Sequence, residues 1–424
     1  MIIQNGLVID PSQKLEKIQD LKIKDGKIAQ IANPGEIQAE SSEKVIDASG
    51  HYVTPGLVDM HVHLREPGET LKENIESGTR AAAAGGFTGV ACMANTQPVN
   101  DEPSVTHSIL QKAKATAKVR VFPIGAVTRG LKGEQLSQMA GLVQAGCVAL
   151  SDDGMPVMNA QLMRHAMEYS RSFEVPIISH SEDLSLSMGR PMSEGAQSTF
   201  LGLMGNPPES EEIMIAREIS LARLTGARVH IAHLSTDLGL HLIRSAKKQG
   251  LKVTAEVTPH HLLLDDESVG IYDSQHKMAP PLRAKSCQEA LIEGLSDGTI
   301  DAIASDHAPH DPELKSKPFD CAANGVLGLQ TTLPLTLSLV HQKRLSLSRW
   351  VEALSTAPCK ILGLPHGTLE VGTAADITII DPKKEWMYDE SSNLSKSQNS
   401  PFLGQTMKGK AVMTLLEGEM IHEG

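Results

Sequence analysis

Residues 56–68 read GLVDMHVHLREPG, an apolar run that carries two histidines one residue apart and then ends in an arginine and a Pro-Gly turn. Because side chains alternate along a strand, His61 and His63 would project from the same face of a strand over residues 57–62. Two imidazoles on one face can begin a metal site. A chain with 17 histidines can also contain such a pair by chance. The rest of the sequence must therefore show whether these two histidines belong to a metal site.

Apolar runs of strand length recur through the middle of the chain, and helical patterns lie between most of them. The runs cover residues 57–62, 87–93, 119–125, 147–151, 175–179, 228–233, 252–257 and 301–305. Continuous apolar strands that alternate with helices are typical of a parallel sheet covered by helices. Eight such units predict an α/β fold, a (β/α)8 TIM barrel, over residues 56–360.

Both ends of the chain have a different pattern from the middle. Residues 1–55 and 361–424 contain short runs of β-branched residues separated by Asn-Gly, Asp-Gly and other glycine turns. This pattern predicts a small composite β-sandwich domain that is built from both termini.

The composition argues against several classes of protein. A net charge of −12 without a broad basic stretch speaks against a nucleic-acid partner. The five cysteines are scattered and form no Cys-x-x-Cys pair, which is typical of a reducing cytosol. The N-terminus lacks the basic start of a signal peptide, and no window of about 18 apolar residues is free of charge. We therefore expect a cytoplasmic protein that does not cross a membrane.

Side chains of the types that bind metals stand at the ends of most apolar runs. They are His61 and His63 in the first run, Asp152 and Asp153 in the fourth, His180 in the fifth, His233 in the sixth, and Asp306, His307 and His310 in the eighth. In a barrel the carboxyl ends of all strands meet at one rim, so these side chains would converge. Of Asp152 and Asp153, only one can easily face inward.

Four of these imidazoles and two carboxylates exceed what one zinc ion with an open position needs, which is about three protein ligands. They suit two ions, about 3.5–4 Å apart, that share a bridging carboxylate and a water. Two cations would lower the pKa of that water, and an aspartate could carry its proton to a leaving nitrogen. The pattern thus predicts metal-assisted hydrolysis of an amide-like bond.

The whole chain resembles the dihydroorotase family, in the bacterial type I branch of the amidohydrolase superfamily. The resemblance lies in GLVDMHVHLREPG, AGGFTGVACMANTQP, SDDGMPVM, ISHSED, HIAHLST, PPLR and SDHAPH. It implies a zinc enzyme that interconverts N-carbamoyl-L-aspartate and (S)-dihydroorotate in de novo pyrimidine biosynthesis, with metal-bound hydroxide as the nucleophile.

The resemblance also implies roles for particular residues. Its metal ligands would be His61, His63 and Asp306 for one zinc, His180 and His233 for the other, and Asp153 as the bridge between them. Asp306 would also be the general acid/base. The substrate would be held by Arg65, Asn95, His310 and Gly325. Many relatives bridge their metals with a carboxylated lysine, but SDDGMPVM contains no lysine, which argues against hydantoinase-like relatives.

Two positions depart from the family pattern. Ala279 stands where the family has an asparagine that contacts the substrate, and Asn324 precedes Gly325 where the family often has phenylalanine. Losing one or two hydrogen bonds at Ala279 would cost about 1–3 kcal/mol of binding. Residues 311–325 are rich in turn residues and are predicted to cover the mouth of the barrel as a lid that excludes water.

Two other functions remain as alternatives. One is another cyclic-amide hydrolase, of the hydantoinase or allantoinase type, for which Ala279 leaves room. The other is a non-catalytic homologue that scaffolds aspartate transcarbamoylase, although such homologues lose metal ligands and none is missing here. The resemblance also implies a homodimer, a small-molecule substrate and a possible association with aspartate transcarbamoylase.

Overall fold

The structure is a computed structural model that describes residues 1–41 and 43–424. The described chain begins with five strands, which have from three to ten residues each. They are β1 (Ile2–Asp10), β2 (Leu15–Lys24), β3 (Lys27–Ala32), β4 (Val45–Asp47) and β5 (Tyr52–Pro55). Strand β1 pairs antiparallel with β2 and parallel with β4 and β5, so the N-terminal strands form a mixed sheet.

The next strands form a barrel. They are β6 (Leu57–Val62), β7 (Phe87–Cys92), β8 (Arg120–Gly125), β9 (Ala149–Ser151), β10 (Ile177–Ser179), β13 (Val229–Ile231), β14 (Val253–Val257) and β15 (Ala302–Ile303), while β11 (Met192–Ser193) and β12 (Gly205–Asn206) pair only with each other. Each barrel strand lies parallel to the next, and the His63 amide donates to His307 O at 2.9 Å where the last strand returns to the first. Every predicted apolar run thus contains a barrel strand, which confirms the predicted fold class.

Helices cover the outside of the barrel and its mouth. They are α1 (Ile75–Ala84), α2 (Pro103–Thr116), α3 (Met139–Ala145), α4 (Ala160–Ser170), α5 (Leu184–Ser187), α6 (Ala196–Leu201), α7 (Glu209–Thr225), α8 (Asp237–Lys248), α9 (Pro259–Leu263), α10 (Lys285–Ser296), α11 (Pro312–Lys315), α12 (Thr332–His341), α13 (Leu347–Val351) and α14 (Ala357–Leu362). The main apolar core lies between these helices and the strands, which are buried on both faces as parallel strands are in such folds.

The chain then returns to the first sheet. Strands β16 (Ile377–Tyr388), β17 (Gln405–Leu416) and β18 (Glu419–Glu423) extend it, because β16 pairs antiparallel with β5. The two ends therefore share one continuous sheet with an apolar cluster of its own. The predicted division at residues 360 and 361 falls inside α14, whose Ile361 and Leu362 pack against barrel residues.

The segment between β16 and β17 leaves the sheet and contacts the barrel rim. Its Asn399 side chain donates to Ala308 O at 2.9 Å and to Gly325 O at 3.0 Å, and it accepts from the His310 amide at 2.9 Å. The C-terminal part of the chain thus fixes a loop at the mouth. In the part of the chain that the structure describes, no helix is both long and apolar enough to span a bilayer.

Candidate active site

Asp153 lies among four histidines at the carboxyl ends of β6, β10 and β13. Its Oδ1 lies 3.4 Å from His61 Nε2 and 3.5 Å from both His180 Nδ1 and His233 Nε2. Its Oδ2 lies 3.5 Å from His63 Nε2. One carboxylate therefore faces every predicted histidine ligand, which is the position a group needs in order to bridge two cations.

Asp306 closes the other side of this cluster at the end of β15. Its Oδ1 lies 3.1 Å from His63 Nε2 and 3.5 Å from His61 Nε2. The ligand atoms of His61, His63 and Asp306 all lie within 4.8 Å of one another, and so do those of His61, Asp153 and His233. His180 Nδ1 lies 3.0 Å from His233 Nε2 and so joins the second group.

The donor atoms in this cluster fit cations. Among the described residues, His61 Nε2 and Asp153 Oδ1 are buried and have no hydrogen-bond partner. Buried polar atoms are otherwise nearly always satisfied, and an ion is one of the groups that can satisfy them. The structure thus brings the six predicted ligands into one cluster of imidazoles and carboxylates, the ligand types that zinc takes.

The charges in the cluster stabilise one another. Burial alone would raise the pKa of Asp153, but the facing imidazoles of His61, His180 and His233 lower it well below its usual value. Burial likewise opposes protonation of His180, yet Asp153 and Glu182 raise its pKa to about 10. Divalent cations compete with such protons, because a histidine must be neutral to bind a metal.

The two adjacent aspartates after β9 have different roles. Asp152 accepts from the backbone amides of Val127 at 2.7 Å and Thr128 at 3.0 Å, so it holds the loop that follows β8. Asp153 is thereby left to face the histidines.

Three residues of the site have backbone conformations that L-amino acids rarely adopt. The φ angles are +58° for Arg65, +33° for His233 and +47° for Asp306. Such residues cost about 1–3 kcal/mol each and cluster at functional sites, where the surrounding structure holds them. The strands thus end in strained turns that aim these side chains into the mouth.

The predicted substrate residues line a cavity of about 440 Å³ next to the cluster. Arg65 is buried, and its Nε donates to Pro309 O at 3.1 Å while its Nη2 lies 3.3 Å from His310 Nε2. Burial, and then the charge of Arg65, lowers the pKa of His310 to about 3, so this imidazole is neutral. His310 Nε2 also lies 2.7 Å from Asn324 O, so its proton is donated to that carbonyl. The guanidinium of Arg65 at the cavity wall can receive a carboxylate.

Gly325 and Ala279 line the same cavity. A Cβ at Gly325 would lie 2.7 Å from Ala308 Cβ and 3.0 Å from His310 Cδ2, and the φ of this residue is +141°. Only glycine therefore fits between these two neighbours. Ala279 presents a methyl group to the cavity where the resemblance leads one to expect an amide.

Asn95 lines the cavity and also contacts a predicted metal ligand. Its Oδ1 lies 2.9 Å from His63 Nδ1, so it accepts a hydrogen bond when that nitrogen is protonated. This leaves His63 Nε2 unprotonated for a metal and leaves the Asn95 amide group for the substrate. The sequence predicted that Asn95 contacts the substrate, but it did not predict the contact of Asn95 with His63.

Sequence reasoning also missed two carboxylates that hold metal-ligand histidines. Glu256 Oε1 lies 2.6 Å from His61 Nδ1, and Glu182 Oε2 lies 3.1 Å from His180 Nε2. Burial opposes ionisation of both, but the contacting histidines lower the pKa of each to about 2. One signal was available, since Glu256 is the acidic residue inside the apolar run over residues 252–257. A charge in a buried strand requires a partner.

Two lysines tie down the segment that was predicted to be a lid. Lys315 is buried, and its Nζ donates to Lys277 O at 3.0 Å and to Ala323 O at 3.1 Å. Lys277 Nζ in turn donates to Ala322 O at 2.7 Å and Asp320 O at 2.9 Å. The segment over residues 311–325 is thus anchored to the wall of the cavity.

Comparisons of sequence find relatives that match the whole chain. A family model described as "Dihydro-orotase-like" matches residues 50–238. A protein named dihydroorotase from Citrifermentans bemidjiense is 52% identical over 423 residues, which cover 100% of this chain and 99% of the relative. A dihydroorotase from Syntrophotalea carbinolica is 50% identical and covers 100% of this chain and 99% of the relative.

Comparisons of structure find the same architecture in other enzymes. The L-hydantoinase (dihydropyrimidinase) from Arthrobacter aurescens superposes with a TM-score of 0.88 at 28% identity, covering 100% of this chain and 96% of the other. A D-hydantoinase superposes with a TM-score of 0.86 at 24% identity, covering 99% of this chain and 94% of the other. The second likeness shows the fold alone.

Proposed function

The chain belongs to the dihydroorotase family and is a cyclic-amide hydrolase, and from this premise we propose that it interconverts N-carbamoyl-L-aspartate and (S)-dihydroorotate with two zinc ions. The observation that carries the metal part of this proposal is the position of Asp153, whose oxygens lie within 3.5 Å of a nitrogen of every predicted histidine ligand.

The six residues of the cluster would hold the ions in two groups. His61, His63 and Asp306 would bind one, His180 and His233 would bind the other, and Asp153 would bridge them. Zinc held by these residues would supply hydroxide at neutral pH and would polarise the carbonyl of the scissile amide.

The carboxylate of the substrate would lie against Arg65, Asn95 and His310. The guanidinium of Arg65 offers a planar pair of donors, which matches the two oxygens of a carboxylate. The amide group of Asn95 adds a donor, and Gly325, which has no side chain, leaves room for the ring. Together these contacts would orient the ring so that its amide faces the metal cluster.

Asp306 would carry the proton in both directions of the reaction. In ring opening it would accept a proton from the attacking water and give it to the ring nitrogen as the amide bond breaks. In ring closure it would take the proton from the carbamoyl nitrogen as the C–N bond forms and give it to the carboxylate oxygen that leaves as water. A correctly placed acid/base group contributes about 10²–10⁴-fold to the rate.

The test is to measure ring opening of dihydroorotate, hydantoin and allantoin side by side, together with ring closure of N-carbamoyl-L-aspartate. We expect the largest kcat/KM for dihydroorotate and measurable ring closure. A larger kcat/KM for hydantoin or allantoin would overturn the assignment. Hydantoin is the second candidate, because the hydantoinases share the fold and Ala279 removes an expected substrate contact.

We further propose a cytoplasmic location, a homodimer and an association with aspartate transcarbamoylase. The mass of the particle in solution tests the homodimer, and co-elution of the two purified enzymes tests the association. A complex without turnover would favour the scaffolding alternative.

A further inference from the structure

A buried carboxylate lies behind the metal cluster, outside the set of predicted ligands. Glu256, on β14, is 0% exposed, and each of its oxygens faces an imidazole. Oε1 lies 2.6 Å from His61 Nδ1, and Oε2 lies 3.2 Å from His230 Nε2. The other ring nitrogen of His230, Nδ1, lies 2.9 Å from Thr254 Oγ1.

Glu256 differs from the other groups that hold ligand histidines. His63 is held by the neutral amide of Asn95, and His180 is held by Glu182, whose side chain is 18% exposed to solvent. Water therefore screens the charge of Glu182. The charge of Glu256 is screened less, because this side chain has no contact with solvent.

Two divalent cations in this cluster would require a further negative charge nearby. Asp153 and Asp306 cannot by themselves neutralise two divalent cations, and an excess of positive charge in a buried space is costly. Glu256 lies on the far side of His61, too distant to be a ligand itself and close enough to offset that charge. Its hydrogen bond also keeps the proton on His61 Nδ1, which leaves Nε2 free to bind a metal.

We propose that Glu256 is a positioning residue and the buried counter-charge of the metal centre, and that it acts through His61. This inference rests on the proposed function, because it assumes that the cluster binds divalent cations. It assigns no contact between Glu256 and the substrate.

The substitution Glu256→Gln separates charge from geometry. The glutamine carbonyl can accept from His61 Nδ1 as Glu256 does now. The glutamine amide can donate to His230 Nε2, provided that His230 places its proton on Nδ1 and donates to Thr254. Every hydrogen bond is then kept, and only the negative charge is lost.

The measurement is zinc retention against a competing chelator, together with thermal unfolding of the metal-free and zinc-loaded forms. We expect Glu256→Gln to hold zinc about 10–100-fold more weakly than the wild type. We expect zinc to raise the unfolding temperature of Glu256→Gln by less than it raises that of the wild type, because a ligand that binds more weakly stabilises the folded state less. A purely structural role would instead lower the stability of both forms equally.

Asp20 provides a matched control, since it is also a fully buried carboxylate but lies on β2 in the terminal sheet. It accepts from the amides of Asn5 at 2.9 Å and Gly35 at 2.8 Å. Asp20→Asn should lower the stability of both forms and leave zinc retention unchanged.

The outcomes distinguish two failures. Wild type that retains no zinc would overturn the metal centre and this inference with it. Wild type that retains zinc, with Glu256→Gln retaining it equally well, would overturn this inference alone. Equal loss of stability in the metal-free and zinc-loaded forms of Glu256→Gln would also overturn it.

Discussion

At the scale of single residues, Asp306 combines two tasks, since it lies among the predicted metal ligands and faces the cavity. Replacing it with asparagine removes the group that accepts the proton and keeps the shape of the side chain. We expect Asp306→Asn to lower kcat for dihydroorotate by at least about 100-fold, with the circular dichroism spectrum unchanged. A rate near that of the wild type would show that another group carries the proton.

Arg65 also lines the cavity and should act on binding. A hydrogen bond to a charged group contributes about 1.5–3 kcal/mol, so Arg65→Ala should raise KM for dihydroorotate by about 10–150-fold. Hydantoin has no carboxylate and is the control substrate, and any activity towards it should change little. An unchanged KM for dihydroorotate would contradict the proposed carboxylate contact.

The ligand types were predictable from single residues, because they stand at the ends of apolar runs and a barrel gathers such ends at one rim. The residues that hold these ligands in place could not be predicted in this way. His61 and Glu256 are 195 residues apart in the chain, and no local pattern joins them. The contact between Asn95 and His63 likewise depends on how two neighbouring strands end.

At the scale of elements, the segment between β16 and β17 positions the loop that carries His310. Asn399→Ala would leave the amide of His310 and the carbonyls of Ala308 and Gly325 without their present partner, each at a cost of about 1–3 kcal/mol. We expect a KM for dihydroorotate at least about 10-fold higher, with an unchanged zinc content.

Ser397 provides the control for that variant. It lies on the same segment, but its Oγ donates to Lys72 O at 2.7 Å, away from the substrate loop. Ser397→Ala should leave KM within about twofold of the wild type, since the hydrogen bond that it loses is made to Lys72 and not to the substrate loop. Equal KM values for the two variants would show that the segment does not act through Asn399.

The lid segment should give the protein a pH-dependent stability. Burial, and then the charge of Lys277, lowers the pKa of Lys315 to about 7, whereas the unfolded chain has the usual value near 10.5. Between these values the unfolded chain binds a proton that the folded protein does not, so the contribution of Lys315 to stability rises with pH. Below pH 7 both states are protonated, and this contribution is constant.

Lys315→Met removes this dependence and serves as the comparison. We expect the unfolding free energy of the wild type to rise relative to that of Lys315→Met between pH 7 and 10, by at most about 1.4 kcal/mol per pH unit. Urea unfolding at several pH values measures it. A difference that is constant or falls over this range would contradict a neutral Lys315 in the folded protein.

At the scale of the whole molecule, the barrel could be predicted because each strand and helix has its own local pattern. The shared terminal sheet was predicted from the likeness of the two ends, but its course was not. The sequence did not show that the strands of the two ends join through the pairing of β16 with β5. After β16 the chain returns to the barrel rim, where side chains such as Asn399 hold it. No periodic pattern in the sequence predicts such contacts.

The central claim is that ligands from distant strands form one centre around Asp153, and zinc content measured with dihydroorotate turnover on the same preparation tests it most directly. We expect about two zinc ions per wild-type chain, with turnover that falls as zinc is removed and returns when it is restored. Asp153→Ala should lose both zinc and turnover. Full turnover in protein without a divalent metal, or unchanged zinc and turnover in Asp153→Ala, would contradict the claim.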